Sequence, residues 1–248
     1  MAADETHLSP QCLDNLNQDF QHLHEMKSFL MEELTSYQKG TLGLGKLGRT
    51  YDSRKGLIRN LADGRKIRTL LLHGHEYTYN TLMLSPNNSP AVKDTQLWFV
   101  GFFGEQRKDT HEEIPMMVWN MSRDLDEECH EFPSMLAVCF AETCEGNWYN
   151  LVLMLGEKTL GHWHSSRLHR FAVRDLAPRY YSQVRIHVGQ LPQGITESTF
   201  HLSRSIYLDY TAYQKDKEDS IARSVKHWNK DGGFADKMAS TKFFTFAN

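Results

Sequence analysis

The chain lacks most of the features that announce a specialised class. Its 248 residues include four cysteines, Cys12, Cys129, Cys139 and Cys144. No two of them form a CxxC pair or a disulfide-scaffold spacing, which reads as free thiols rather than a secreted framework. No run of 18 or more apolar residues occurs, so no membrane-spanning helix is expected. A basic excess is also missing: 28 Lys and Arg stand against 31 Asp and Glu, a formal net charge of −3. That balance argues against a general nucleic-acid binder. Residues 1–10 are acidic, without the basic flank and apolar stretch of a signal peptide or the Arg-rich character of a transit peptide. The expected location is the cytoplasm, or a plastid if a transit peptide has been removed.

What is present is ordinary globular material, 40% hydrophobic, 24% charged and 11% aromatic, enough for a sizeable core. No internal repeat or long linker divides the chain, so a single domain over 1–248 is expected. Leu13, Leu16, Phe20, Leu23, Phe29, Leu30 and Leu34 recur every three or four residues, predicting an N-terminal helix over 11–38 with one apolar face. Lys39-Gly40 supplies its stop. Glycine-spaced, basic residues 40–60 read as loop.

Strand-like runs follow at 66–73, 77–84, 97–103, 114–121, 135–141 and 147–155, giving a sheet over about 64–156. Short gaps with turn signals such as Asn87-Asn88-Ser89-Pro90 favour antiparallel pairing. In the region 160–248, Leu168, Phe171, Ala172 and Leu176 predict a helix over 162–181, 205–213 a further strand, and 219–228 and 234–244 helices. The fold class expected is α+β.

Three groups of residues carry candidate chemistry. Gly43-Leu44-Gly45-Lys46-Leu47-Gly48 matches GxGxxG by letter, but a dinucleotide fingerprint follows a strand, and here a helix precedes it. A flexible glycine loop is the simpler reading. Histidines recur in groups: His22 and His24, His73 and His75, and His162, His164 and His169. Zinc needs three or four converging ligands; His73 and His75 could share a strand face, His162 and His164 could not share a helix face, and no metal is expected. No GxSxG elbow or cysteine-nucleophile motif is present. Basic residues gather at Arg54, Lys55, Arg59, Arg65, Lys66 and Arg68, and again at Lys226, Lys230, Lys237 and Lys242. They are either solvated faces or docking patches for an acidic partner or an anionic ligand.

Several stretches together resemble the ferredoxin-dependent bilin reductases. Arg65-Lys66-Ile67-Arg68, Gly74 and Tyr79-Asn80 leading to Pro86 resemble the start of that family's core sheet. Residues 114–124 (IPMMVWNMSRD) look like its strand ending in Asp-x-x-Pro, with Asn120 and Ser122 departing from the usual residues. Tyr207-Leu208-Asp209-Tyr210, Lys215-Asp216 and Asp219-Ser220-Ile221-Ala222-Arg223 are similar to its aromatic strand and following element. Residues 234–238, with Phe243-Phe244, resemble its closing helix and terminal aromatic. The likeness covers roughly 60–125 and 205–245. Residues 98–103 lack the aspartate that many members carry there.

The resemblance implies a three-layer α/β/α sandwich around a central antiparallel sheet. It implies a linear tetrapyrrole held between sheet and C-terminal helices, and electrons taken from ferredoxin without a bound flavin, metal or nicotinamide. Each electron added makes the pigment more basic, so a proton donor is required. By position the donor would be Asp216 or Asp219, Asn80 would face the pigment, and Arg68 and Arg223 would bind propionates. A charged run, a helix cap at Asp219 and a turn at Asn80 are the plain structural readings of the same residues.

Two other classes stand beside it. Residues 148–155, the helix through Phe171, and 180–187 look like a β-α-β unit of the kind that builds dimeric α/β-barrel oxygenases and haem-binding proteins, with His187 or His169 toward an aromatic ligand or haem. The third is a non-catalytic module that binds a hydrophobic small molecule.

Overall fold

The computed structural model describes residues 10–38, 48–52, 56–60, 66–72, 75–83, 95–132, 134–143, 145–213, 221–228 and 243–245. A long helix, α1 (Pro10–Gln38), is followed by strands β1 (Gly48–Asp52), β2 (Gly56–Asn60), β3 (Lys66–Leu72), β4 (His75–Met83) and β5 (Leu97–Gln106). Then come α2 (Glu113–Cys129), β6 (Met135–Thr143), β7 (Trp148–Met154), α3 (Glu157–Ser165) and α4 (Arg167–Phe171). A π turn (Ala172–Leu176) and α5 (Ala177–Tyr180) lead to β8 (Tyr181–Leu191), β9 (His201–Asp209), β10 (Ala222–His227) and β11 (Phe243–Thr245).

The eleven strands among the described residues belong to one sheet in the order β1-β2-β3-β4-β6-β7-β5-β8-β9-β10-β11, and every neighbouring pair is antiparallel. The fold is therefore mixed α and β around an antiparallel sheet. Its middle holds a topological unit. β5, α2, β6, β7, α3–α5 and β8 run β-α-β-β-α-β, with spatial order β6-β7-β5-β8. β5 runs parallel to β6 with β7 between them, and β7 runs parallel to β8 with β5 between them. This is the split β-α-β arrangement, and the expected β-α-β unit at 148–187 is half of it. Right-handed crossovers put the helices of both halves on the same face.

Alternation along the central strands divides the core. Leu97, Phe99 and Phe103 of β5, Ala137, Cys139 and Ala141 of β6, and Tyr149, Leu151 and Leu153 of β7 pack with Leu16, Phe20, Leu23, Met26, Phe29 and Leu30 of α1. Trp98, Val100 and Phe102, with Val152, Val184, Ile186 and Val188, pack instead with Ile114, Val118 and Cys129 of α2, Leu160 and Trp163 of α3, and Tyr180. Each fully buried side chain of the α1 stripe contributes about 1.5–3 kcal/mol by leaving water. Gly101 lets the helix come close: a Cβ there would lie 2.6 Å from Leu23 Cδ2.

Four expectations from sequence are corrected. Residues 114–121, read as a strand, lie in helix α2. The apolar run hid an i, i+4 pattern through Ile114 and Val118, and Pro115 falls in the first turn, where its missing N–H costs nothing. Residues 40–60, read as loop, contain β1 and β2. Residues 219–228, read as helix, contain strand β10, held by pairing to β9 and β11. The sheet expected over about 64–156 instead runs from β1 to β11. The helix expected at 234–244 lies mostly outside the described residues, and its Phe243 begins β11. Among the described residues no helix is long and apolar enough to cross a membrane.

Candidate functional site

Two polar groupings occupy the sheet, one on each face. The first lies under α1. Asp19 of α1 takes a bidentate pair from Arg185 of β8, with Arg185 Nε to Oδ2 at 2.8 Å and Nη2 to Oδ1 at 2.9 Å. The same Oδ2 accepts from His187 Nε2 at 2.9 Å. In the tautomer that carries its proton on Nε2, toward that carboxylate, Nδ1 accepts from Ser205 Oγ at 2.8 Å. Ser205 Oγ in turn accepts from Trp228 Nε1 at 3.0 Å. Arg185 also pairs with Glu105. Burial opposes the arginine's charge, but its hydrogen bonds and Coulomb attraction to Asp19, then Glu105, hold it protonated.

The order Ser205–His187–Asp19 has the residue types of a nucleophilic triad. Its surroundings do not suit one. Ser205 and His187 are 0% exposed and Asp19 is 1% exposed, and Phe20, Phe103 and Tyr207 ring the imidazole at centroid distances of 6.1, 5.6 and 6.3 Å. No substrate reaches the hydroxyl. The network anchors α1 to the sheet. For the same reason His187 has no free ring nitrogen for an iron or a ligand. Beside it, His22 is buried against Tyr77 and Tyr149, 4.6 and 4.9 Å away by ring centroids, and meets Tyr79 Oη at 3.3 Å.

The second grouping lies on the other face, across β4, β6 and β7, where Trp119 of α2 meets Trp148 of β7. Directly opposed residues share a face, and two register rows cross here. Asn80 opposes Phe140, which opposes Asn150; Thr78 opposes Glu142, which opposes Trp148. Asn80 Oδ1 is buried and has no hydrogen-bond partner, an arrangement costing about 1–3 kcal/mol unless a donor meets it. The exposed Glu142 rests on enough sheet that burial raises its carboxyl above the ordinary value. Trp148 Nε1 donates to Tyr180 Oη at 3.1 Å, and Tyr180 Oη donates to the Gly146 carbonyl at 3.1 Å. Trp119, half exposed on α2, stands edge-on to Trp148 at 5.9 Å. The result is an aromatic-walled strip of sheet with one unmet acceptor and one carboxyl able to hold a proton.

Of the residues singled out from sequence, Asn80 belongs to this strip. Arg68 on β3 pairs with Tyr79, and the exposed Arg223 on β10 pairs with Leu208. Six strands separate β3 from β10, so the two arginines are not neighbours in the sheet. Asp216 and Asp219 lie outside the described residues, as do Lys230, Lys237, Lys242 and Gly43–Leu47 of the glycine loop. Lys226, expected in a basic surface patch, is instead 2% exposed, with Nζ 3.7 Å from the Trp228 ring centroid. Burial lowers its ammonium to about 8.

His164 and His169 stack at 5.5 Å with ring planes 18° apart. Burial, then the nearby His164, pushes His169 down to about 4. Among the described residues no group of three metal-type ligands converges. Glu142 was missed in sequence because nothing in AETCEG marks it; only the strand register sets it beside Asn80.

No family model matches the chain, and neither does any curated protein or solved structure.

Proposed function

We propose that the chain is a bilin reductase-like enzyme. In this reading it binds a linear tetrapyrrole on the sheet face carrying Asn80 and Glu142, and reduces it with electrons from ferredoxin. The observation that carries the reading is the buried, unmet Asn80 Oδ1. A linear tetrapyrrole presents pyrrole N–H donors on a flat apolar body, which suits an acceptor beside Phe140 on a strip that Trp148 and Trp119 border. The three-layer α/β/α sandwich belongs to the same reading, with α1 over one face and α2–α5 over the other. The residue resemblance at 65–86 and 207–216 supports it as well, while that at 114–124 does not, since those residues lie in helix α2 and not in a strand.

Reduction of one double bond takes two electrons and two protons. Ferredoxin supplies the electrons singly. A carboxyl on the strip delivers a proton as the pigment's basicity rises with each electron, and a raised pKa keeps that carboxyl protonated nearer neutral pH. Glu142 fills that role by position, with Asp216 or Asp219 as the donors the resemblance implies. The basic residues at 54–68 are the docking patch for the acidic electron donor.

Two competing readings keep their place as outcomes. The split β-α-β unit favours an α/β-barrel oxygenase or haem-binding protein, against which His187 has both nitrogens engaged. The third is a binding module without turnover.

The test is a titration with biliverdin, followed by reduced ferredoxin. The expected result is a visible absorbance shift on binding, weakened about tenfold in Asn80→Leu by loss of one buried hydrogen bond. A second change on reduction should slow in Glu142→Gln, Asp216→Asn or Asp219→Asn. Binding without reduction would leave the module reading standing. No spectral change, with a Soret band on haem addition instead, would leave the haem reading.

A further inference from the structure

The helical side of the molecule carries an apolar stripe that nothing above uses. α2 lies alongside α4 and the π turn, and each contributes uncovered hydrophobic side chains. Met116 is 62% exposed and Met117 37%, while Phe171 is 40% and Val173 42%. Isolated exposed hydrophobics are common, but four on the adjoining α2, α4 and π turn mark an interaction surface.

The flanking charges say what the surface fits. α2 carries Glu113, Asp124, Asp126, Glu127 and Glu128 against one arginine, Arg123, a sum of −4. Across 167–180 stand Arg167, Arg170, Arg174 and Arg179 against one acid, Asp175, a sum of +3. Glu113, Asp124 and Glu127, like all four of these arginines, are exposed. Among the described residues these exposed charges form no salt bridge with one another. The adjoining elements are therefore oppositely charged, and both expose apolar side chains.

A surface of that kind is complementary to itself. A two-fold rotation lays the acidic helix of one copy on the basic helix of the other, twice over, and buries the stripe at the centre. We infer that a second copy of this chain docks here, forming a symmetric dimer through α2 and the α4–α5 segment. The network under α1 takes no part, whereas Trp119, which walls the pigment strip, lies on the docking helix α2. The apolar stripe supplies the affinity, and the two charge stripes set the orientation and the salt dependence.

Sedimentation velocity on the full chain across the micromolar range tests this. Wild type should sediment as a dimer whose dissociation constant rises at about 0.5 M salt, where charges are screened within a few ångströms. Met116→Asp with Phe171→Asp should give a folded monomer by circular dichroism. Reversing the basic stripe (Arg170→Glu with Arg174→Glu) should abolish self-association. Reversing the acidic stripe (Asp124→Arg with Glu127→Arg) should do the same. Mixing the two reversed proteins should restore dimers, since both contacts are then complementary. A monomeric wild type overturns the inference, as does a dimer that ignores these substitutions, or reversed proteins that fail to pair on mixing. Capture of an acidic protein by a monomer through Arg170 and Arg174 would also overturn it.

Discussion

His187 and Ser205 face each other across β8 and β9, joined through Nδ1 and Oγ at 2.8 Å, and both are completely buried. The hydroxyl satisfies two neighbours at once, donating to the imidazole and accepting from Trp228. The imidazole passes the constraint on to Asp19 of α1, 168 residues away in sequence. The chemistry of a triad is present, but it serves attachment.

That assignment makes a direct prediction. Ser205→Ala leaves the indole N–H and the imidazole acceptor unmet, and should lower unfolding free energy by about 2 kcal/mol in urea. Asp19→Ala strands the Arg185 charge as well and should cost about 3–5 kcal/mol, with faster proteolysis of α1. A fluorophosphonate probe should leave Ser205 unlabelled in the folded protein; labelling at that residue would contradict the anchoring role.

Gly101 should resist enlargement. Alanine there drives a methyl against Leu23, and overpacking of this kind costs about 1–3 kcal/mol. Because the opposing atom is the end of a flexible side chain, the cost should shrink when Leu23 is also shortened to Ala. A double-mutant cycle in urea should show positive coupling. Strictly additive losses would mean that α1 does not rest on this glycine.

His169 should leave a mark on acid stability. Its proton is disfavoured in the folded protein, where it titrates at about 4, against 6.5 for the free group. The unfolded chain therefore binds more protons between those values, and stability falls as pH drops from 6.5 through 4. His169→Phe keeps a ring against Trp163 and His164 and removes the titration. Its stability should be flatter over that window, by on the order of 2 kcal/mol after allowance for partial exposure. Parallel curves for the two proteins would place the acid sensitivity elsewhere.

Much of the scaffold is readable from local periodicity. The stripe of α1 from Leu16 to Leu30 and the alternation in β5, β6 and β7 are short-range patterns, and the structure has helix and strands there. The failures share one cause, which is that context overrode a local signal. Residues 114–121 are apolar almost throughout, because Met116, Met117 and Trp119 face outward on α2; a run without period reads as a buried strand. Residues 222–227 carry polar and charged side chains that suit a helix end, and only pairing to β9 makes them β10. The polar groupings were less legible still. Asp19 meets Arg185 across 166 positions, and Asn80 lies near Glu142 only through the register of β4 with β6. No spacing rule in one sequence reports such pairings.

The tie between α1 and β8 also bears on how the protein is made. The helix leaves the ribosome before every strand it packs on, yet the arginine, histidine and serine that secure its Asp19 are synthesised more than 160 residues later. Until then the stripe from Leu16 to Leu30 has no complete surface to cover, and the nascent chain must keep it from other partners. Shortened products ending before β9 would contain nearly every strand of the α1 core and still lack Ser205 and Trp228. They should be the species that chaperones retain.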